Sequence, residues 1–430
     1  MISLDKRTRA QQAAGVVGVD AGKFEHALVV RPKGAADSKP LTFPTSRAGF
    51  DKAIAFIAHH VAAPPAELLI GIEFAGNYGF TFAHYLNQLG YPIVSVLPSH
   101  TKRWKEVAHN LNLKTDTKDA LGITDLVAQG YFVSFPFLKP AYAELRYLVS
   151  GRDRLSRLRK GCVTRIRTVL QVVFPEYEHF FKSFTHRTPM AMLAAFPSPE
   201  DLLRAPKRKV LKVLKDASRN HLGLDAYTML TEAARNTLAL PTAKGALREE
   251  IGLLVERYAL YERQIEQIEQ RMVAELDGLP ETPALLSVPL VAPLTAAVFL
   301  GSIGDPQSYN SSREILRLAG LTLTERSSGT HKGEPHISKR GRPGLRAMAY
   351  MLAVRGIARK GPYRAEYDRL MARNGGQAHK ALVAIARRAL RQLYSVARHR
   401  RLWTPEPPSR GEGLASGTEG VRLDTAVSNG

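Results

Sequence analysis

A heptad repeat of apolar residues is the feature that most restricts how this chain can fold. Between residues 246 and 276, large apolar residues recur at alternating steps of four and three: Leu247, Ile251, Leu254, Tyr258, Tyr261, Ile265, Ile268 and Met272. That spacing predicts a long helix whose apolar seam needs a partner, either a second copy or another helix of the same chain. We therefore predict a coiled coil over residues 244–278.

The region before the coiled coil alternates strands with helices. Short apolar runs predict strands at residues 16–19, 26–30, 68–72 and 93–96, and the first two flank a turn at Gly22, which favours a hairpin. Helical spacing covers residues 47–61 and 80–89. Such alternation is typical of a central sheet flanked by helices, so we predict an α/β domain over residues 14–140.

A helical extension is predicted over residues 141–240, and its first helix is strongly basic. We name Arg152, Arg159 and Lys160, which lie in this helix, as candidate nucleic-acid-binding residues. A row of cations on a helix is either a solvated face or a groove for phosphates, and spacing alone favours neither interpretation.

The region after the coiled coil predicts a mainly helical domain over residues 283–403. A tail over residues 404–430, rich in Pro, Gly, Ser and Glu, is expected to be disordered. Residues 282–304 carry no charge and are long enough to span a bilayer, but Pro283, Pro289 and Pro293 interrupt them. We therefore predict a buried segment there and no membrane partner.

The charge balance favours a polyanionic partner. The chain has 61 Lys and Arg against 39 Asp and Glu, a formal net charge of +22. Because each neutralised phosphate releases a condensed counterion, this surplus favours nucleic acid. A single cysteine, Cys162, excludes an internal disulfide and a cysteine zinc cluster. With a polar N-terminus that lacks a secretory signal, this predicts a cytoplasmic protein.

Acidic residues stand at the ends of predicted strands. Asp20 ends the first strand, Glu73 ends the third, and Asp116 and Asp119 lie at a predicted helix start. Acids at the ends of adjacent strands meet at one edge of a sheet, and hard oxygen ligands suit Mg²⁺ or Mn²⁺. Each acid also has a structural interpretation, as a turn, capping or surface residue. Their order within one α/β domain favours a metal site that acts on phosphodiesters.

A serine followed by glycine lies in a basic segment of the C-terminal domain. Ser328 precedes Gly329, and four nearby cations are candidate phosphate ligands: Lys332, Lys339, Arg340 and Arg342. A serine hydroxyl can attack phosphorus if it is activated. Spacing alone favours a polar turn whose basic neighbours only contact a nucleic-acid backbone.

The whole layout resembles the DEDD transposases of the insertion-sequence "one-ten" family. The resemblance covers about residues 16–400, and two motifs carry it: Lys114-Thr115-Asp116-Thr117-Lys118-Asp119-Ala120 and His336-Ile337-Ser338-Lys339-Arg340-Gly341. It implies an RNase H-like, RuvC-type N-terminal domain in which Asp20, Glu73, Asp116 and Asp119 bind metal. It also implies that Ser328 forms a transient phosphoserine link to DNA.

The resemblance has implications for partners as well. It implies a homo-oligomer, a dimer or a tetramer, in which the carboxylates of one subunit face the serine of another. It further implies a structured guide RNA that pairs with DNA, and a bacterial, nucleoid-associated location.

Two departures and two rival functions stay open at this point. Where the family has a Gly-x-Gly turn, this chain has Ser287-Val288-Pro289-Leu290-Val291-Ala292-Pro293, and Ser327 competes with Ser328 as the nucleophile. One rival is a metal-only nuclease such as a junction resolvase, which needs no serine. The other is a nucleic-acid-binding protein without catalysis.

Overall fold

The chain forms two compact units, Met1–Phe137 and Leu138–Gly430. The structure, a computed structural model, describes residues 4–74, 76–108, 116–135, 137–184, 186–240, 244–324, 336–358 and 361–404. The N-terminal unit is α/β with a mixed six-stranded sheet, and the second unit, here the helical unit, is mainly helical. This arrangement confirms the predicted order of an α/β region followed by a mainly helical remainder.

The N-terminal unit contains the predicted hairpin and the two further predicted strands. Its strands are β1 (Gly15–Ala21), β2 (Glu25–Pro32), β3 (Leu41–Pro44), β4 (Leu68–Glu73), β5 (Ile93–Val96) and β6 (Val133–Ser134). Its helices are α1 (Leu4–Gln12), α2 (Arg47–His60), α3 (Phe80–Gln88), α4 (Pro98–Ala108) and α5 (Asp116–Ala128). The strand order is β3-β2-β1-β4-β5-β6, with β4 parallel to both β1 and β5 and the other pairs antiparallel.

The two faces of this sheet bury different helices because side chains alternate along a strand. Val17 and Val19 of β1 pack with α2 and α3 in one core. Val16, with Leu69 of β4 and Val94 of β5, packs against α5 on the opposite face. The central strands are therefore covered on both faces, which explains why their sequences are continuous apolar runs.

The helical unit consists of thirteen α-helices, a 3-10 helix at Pro306–Ser308 and a short hairpin within its described residues. The helices are α6 (Pro140–Val173), α7 (Tyr177–Phe180), α8 (Arg187–Ala195), α9 (Pro199–Arg204), α10 (Lys207–Ser218), α11 (Leu224–Arg235), α12 (Lys244–Ala274), α13 (Thr282–Leu286), α14 (Pro293–Ile303), α15 (Ser312–Leu318), α16 (Pro343–Gly356), α17 (Arg364–Arg373) and α18 (Ala378–His399). The hairpin pairs β7 (Leu323–Thr324) with β8 (His336–Ile337).

The heptad seam of α12 is occupied by α6 of the same chain. Ile251, Ile265 and Met272 are buried, and ion pairs join the two helices at both ends, from Glu144–Arg271 to Arg165–Glu250. The order of these pairs shows that the helices run antiparallel. Of the two partners that the sequence allowed for the seam, the structure has the intramolecular one.

The uncharged segment at residues 282–304 forms two short helices, α13 and α14, instead of one long one. Ala296, Phe299 and Leu300 of α14 are buried in the core. Within the described parts of the chain, no helix combines the length and the apolar character that a bilayer crossing needs. The prediction of a buried segment is confirmed.

Candidate functional site

Two of the predicted metal-binding carboxylates are neighbours on adjacent strands. Asp20 of β1 and Glu73 of β4 are register partners in a parallel pair, so their Cα atoms lie about 4.8 Å apart. Register partners project from the same face of a sheet, and both residues are partly buried. The sequence predicted this meeting from the position of each acid at a strand end.

Helix α5 covers the same face and brings a third acid toward it. Gly18, two residues before Asp20, has no side chain, which lets the α5 backbone approach: a Cβ there would lie 2.5 Å from the Ala120 carbonyl oxygen. Ala120 packs against Ala27, the register partner of Asp20 on β2. The first turn of α5, which includes Asp119, therefore lies beside the strand ends that carry the other two acids.

Asp119 is buried and already compensated by a cation. The Lys105 ammonium of α4 lies 2.7 Å from the Asp119 carboxylate, and α4 is held against α5 because the Trp104 ring packs on Gly122. A buried carboxylate needs such a partner to offset the loss of hydration. In the described structure, the positive charge beside Asp119 comes from this lysine.

The donor chemistry fits a hard divalent cation. Asp20, Glu73 and Asp119 offer only carboxylate oxygens, the ligands that Mg²⁺ and Mn²⁺ prefer. Asp116 is the first residue of α5, as predicted for a helix start, and its side chain lies outside the described part. Among the described side chains, no three acidic, histidine or cysteine residues are close enough to hold one ion.

The basic face predicted on α6 is largely ion-paired within the chain. Arg152 contacts Glu269 at 2.6 Å and Arg159 contacts Glu262, both on α12. Lys160 is exposed. Two of the three candidate phosphate ligands on this helix therefore already bind carboxylates.

The predicted nucleophile, Ser328, lies outside the described residues, and so do Ser327 and Lys332. The described hairpin of β7 and β8 flanks this segment, with Thr324 and His336 as register partners. The chain before the segment and the chain after it are therefore paired side by side in the helical unit.

The three remaining cations differ in their surroundings. Lys339, which has a φ of 53°, and Arg340 are exposed. Arg342 instead donates to the Ser302 carbonyl at the C-terminal end of α14, and burial lowers its pKa. Arg146 of α6 donates to the neighbouring Gly301 carbonyl, and burial, together with the charge of Arg342, lowers its pKa to about 10. Both arginines cap α14, whose last carbonyls attract cations.

A second basic helix, α10, was not among the sequence-based candidates. Its exposed cations are Lys207, Arg208, Lys209, Lys212 and Lys215, and Arg219 comes next at the C-cap. The signal was present in the alternation of paired apolar residues with Lys and Arg over residues 207–215.

Two family models match the chain. A transposase model, for the DEDD transposases of IS110, matches residues 17–175. A model described as the transposase IS116/IS110/IS902 family matches residues 282–369. The first match contains the strand-end acids and α5, and the second contains the β7–β8 hairpin and α16.

Curated relatives cover most of the chain. It is 28% identical over 395 residues to an uncharacterized 44.8 kDa protein of insertion element IS116 from Streptomyces clavuligerus, a match that spans 91% of this chain and 96% of that protein. It is 27% identical over 393 residues to an uncharacterized 43.6 kDa protein of IS110 from Streptomyces coelicolor, covering 89% and 93%. A transposase for IS1328 of Yersinia enterocolitica is 31% identical over 100 residues, 23% of this chain and 30% of that protein.

Proposed function

The chain belongs to the IS110/IS116 family of insertion-sequence transposases and acts on DNA, and from this premise we propose how it cuts and rejoins strands. The N-terminal unit is an RNase H-like, RuvC-type domain. Asp20, Glu73, Asp116 and Asp119 hold the divalent metal, Mg²⁺ or Mn²⁺, and Ser328 is the nucleophile. The helical unit supplies the coiled coil and the serine-bearing domain.

The register of Asp20 with Glu73 is the observation that carries this proposal. Two carboxylates side by side at the ends of parallel strands repel each other, and a shared cation lowers that repulsion. Asp119 lies in the first turn of α5, the helix that covers the same sheet face. The metal, when bound, stabilises the negative charge that develops on the phosphodiester oxygens.

The protein's own groups then have separate tasks. The four carboxylates would hold the cation, and Lys105, which compensates Asp119, offsets negative charge when no ion is bound. Oγ of Ser328 attacks phosphorus and gives up its proton. The sugar oxygen that leaves phosphorus takes up a proton, and a phosphoserine ester holds the strand. Attack by another sugar hydroxyl rejoins DNA and restores the serine.

The partners are proposed from charge and resemblance. A net charge of +22 supports a large polyanionic ligand, and we propose that it includes a structured guide RNA as well as the DNA of the element ends and target. We further propose that the enzyme acts as a homo-oligomer on the bacterial nucleoid.

The test is a recombination assay on the native element with its flanking non-coding DNA, with and without Mg²⁺. Asp20→Asn and Glu73→Gln should abolish strand transfer, whereas Asp51→Asn, which changes an exposed carboxylate of α2, should leave it intact. Ser328→Ala should bind DNA but form no covalent product on a suicide substrate, and Ser327→Ala should still form it.

The outcomes separate the rival functions. Strand cleavage by Ser328→Ala at the parental rate would exclude the serine from the mechanism and favour a metal-only nuclease. Unchanged strand transfer by Asp20→Asn would remove the carboxylates from the mechanism.

A further inference from the structure

Helix α10 lies between the two segments that the family models match, and it carries an exposed row of cations. Arg208, Lys212 and Lys215 succeed one another at steps of four and three, so they form one stripe along the helix, and Arg219 follows at the C-cap. All four are exposed. At 1.5 Å per residue the helical part, from Arg208 to Lys215, is about 10 Å long.

The helix is held rigidly by its opposite face. Val210 and Leu214 are buried in the core that also contains Met190 and Leu193 of α8. Lys207 and Lys209 lie over the rings of Tyr227 and Phe196. The cations therefore project from a fixed support and not from a loose loop.

These charges lack the partners that the cations of α6 have. Among the described residues, Arg152, Arg159 and Arg165 of α6 each contact a glutamate of α12, whereas the cations of α10 have no ion pair there. Asp216 is the one acid within the helix. Like charges at steps of three and four repel each other, so the helix without a bound ligand is destabilised by electrostatic repulsion.

The placement of charge along the helix is also unfavourable. Lys207, Arg208 and Lys209 occupy the first turn, where no acid is present, although the positive end of the helix dipole disfavours cations there. At the other end, Arg219 and Asn220 both adopt left-handed backbone conformations, with φ of 56° and 64°, a region that residues with a Cβ rarely occupy. A bound polyanion would offset the electrostatic part of this cost.

We propose that the exposed face of α10 binds the phosphate backbone of a double-helical nucleic acid, through residues other than the proposed catalytic carboxylates and serine. The open surface along this face is lined by Arg208, Lys212 and Lys215, with Asp216 as the acid among them. A regular row of cations fits regularly repeated phosphates. A lipid surface fits less well, because membrane-binding helices insert their apolar face and that of α10 is buried in the protein.

This proposal rests on the proposed function, which requires that the protein binds nucleic acid. The salt dependence of the affinity tests the α10 site separately from catalysis. Affinity of the full chain is measured against salt for a DNA duplex and for an RNA hairpin of equal length. Removing three phosphate contacts with Arg208→Gln/Lys212→Gln/Lys215→Gln should lower the slope of log K against log salt by about three and weaken binding by at least about tenfold at 0.1 M salt.

Two further variants make the result specific. Lys33→Gln/Lys39→Gln/Lys52→Gln removes the same charge from exposed positions of the N-terminal unit and should keep nearly the parental slope. Arg208→Lys/Lys212→Arg/Lys215→Arg keeps the charge on α10 and should keep the slope. Circular dichroism and urea midpoints confirm that each protein is folded.

The outcomes distinguish this site from the catalytic proposal. A loss with DNA alone or RNA alone identifies which double helix the site binds. A parental slope with both nucleic acids overturns the site. Binding to anionic phospholipid vesicles is measured in parallel, and a loss that affects only the vesicles also overturns it. Asp20→Asn should lose strand transfer and keep the salt slope, so either proposal can fail while the other stands.

Discussion

The close approach of α5 to β1 makes Gly18 a sensitive position. A Cβ at this residue would lie 2.5 Å from the Ala120 carbonyl oxygen, about 0.9 Å short of the 3.4 Å at which ordinary contact begins. The obstructing atoms include helix backbone, which cannot rotate away, so Gly18→Ala must push α5 off the sheet. Overpacking against such atoms costs about 3 kcal/mol.

The same displacement should reach the chemistry. Since Asp119 belongs to α5, moving the helix by about 1 Å misplaces a proposed metal ligand, and a misplacement of that size lowers rates about 100-fold. We therefore expect Gly18→Ala to reduce both the free energy of unfolding of the N-terminal unit and the rate of strand transfer.

The chain offers a local probe and a matched control. It has two tryptophans, and in a Trp403→Phe background urea unfolding can be followed through Trp104, which packs against α5 at Gly122. Gly252→Ala adds the same methyl group inside α12 with nothing within 4 Å and, followed through Trp403 in a Trp104→Phe background, should stabilise the helical unit by up to about 1 kcal/mol. The tight packing of α5 is refuted if the free energy of unfolding of Gly18→Ala stays within about 0.5 kcal/mol of the parental value and its strand-transfer rate is unchanged.

Two other predictions concern a strained turn and a buried histidine. Leu290 has a φ of 70° in the turn between α13 and α14 and is 40% exposed. Leu290→Gly should therefore relieve backbone strain and raise the unfolding free energy by about 0.5 kcal/mol. Urea unfolding is followed through Trp403 in a Trp104→Phe background, and a loss of stability would contradict this prediction. Burial among Phe43, Phe50 and Phe82 lowers the pKa of His26, so its contribution to stability is full above the unfolded pKa of about 6.5 and is lost as the pH falls. His26→Gln should flatten the fall in the Trp104-monitored urea midpoint between about pH 7 and 5, and an unchanged fall would exclude His26 as its source.

Sequence patterns predicted the centre of the N-terminal sheet better than its edges. β1, β2, β4 and β5 are apolar because helices cover both faces of the central strands, and such runs are visible in a sequence. β3 buries only Phe43, and both residues of β6 are exposed, so neither forms an apolar run and neither was predicted. Helix α1 was missed because its sequence is polar.

The same contrast holds for the candidate site. The positions of Asp20 and Glu73 at strand ends predicted that they would meet, because parallel strands bring their carboxyl ends to one edge. The pairing of Lys105 with Asp119 could not be predicted, since neither residue's pattern depends on the other.

The basic helices show the limit of charge counting. The arginines of α6 look available in the sequence, but their glutamate partners lie about a hundred residues further on, at Glu250, Glu262 and Glu269. Ion pairs over such separations depend on how helices pack. The cations of α10 have no such partners among the described residues, and the sequence alone does not show this difference between the two basic helices.

The antiparallel pairing of α6 with α12 also bears on assembly. A leucine-zipper type of repeat is commonly taken as a sign of self-association, yet here the apolar seam is consumed inside one polypeptide. Any multimer formed with this hairpin intact must use different surfaces. The alternative is an exchange of α12 between copies, in which the seam and its arginine–glutamate pairs would be recreated between chains with the same chemistry.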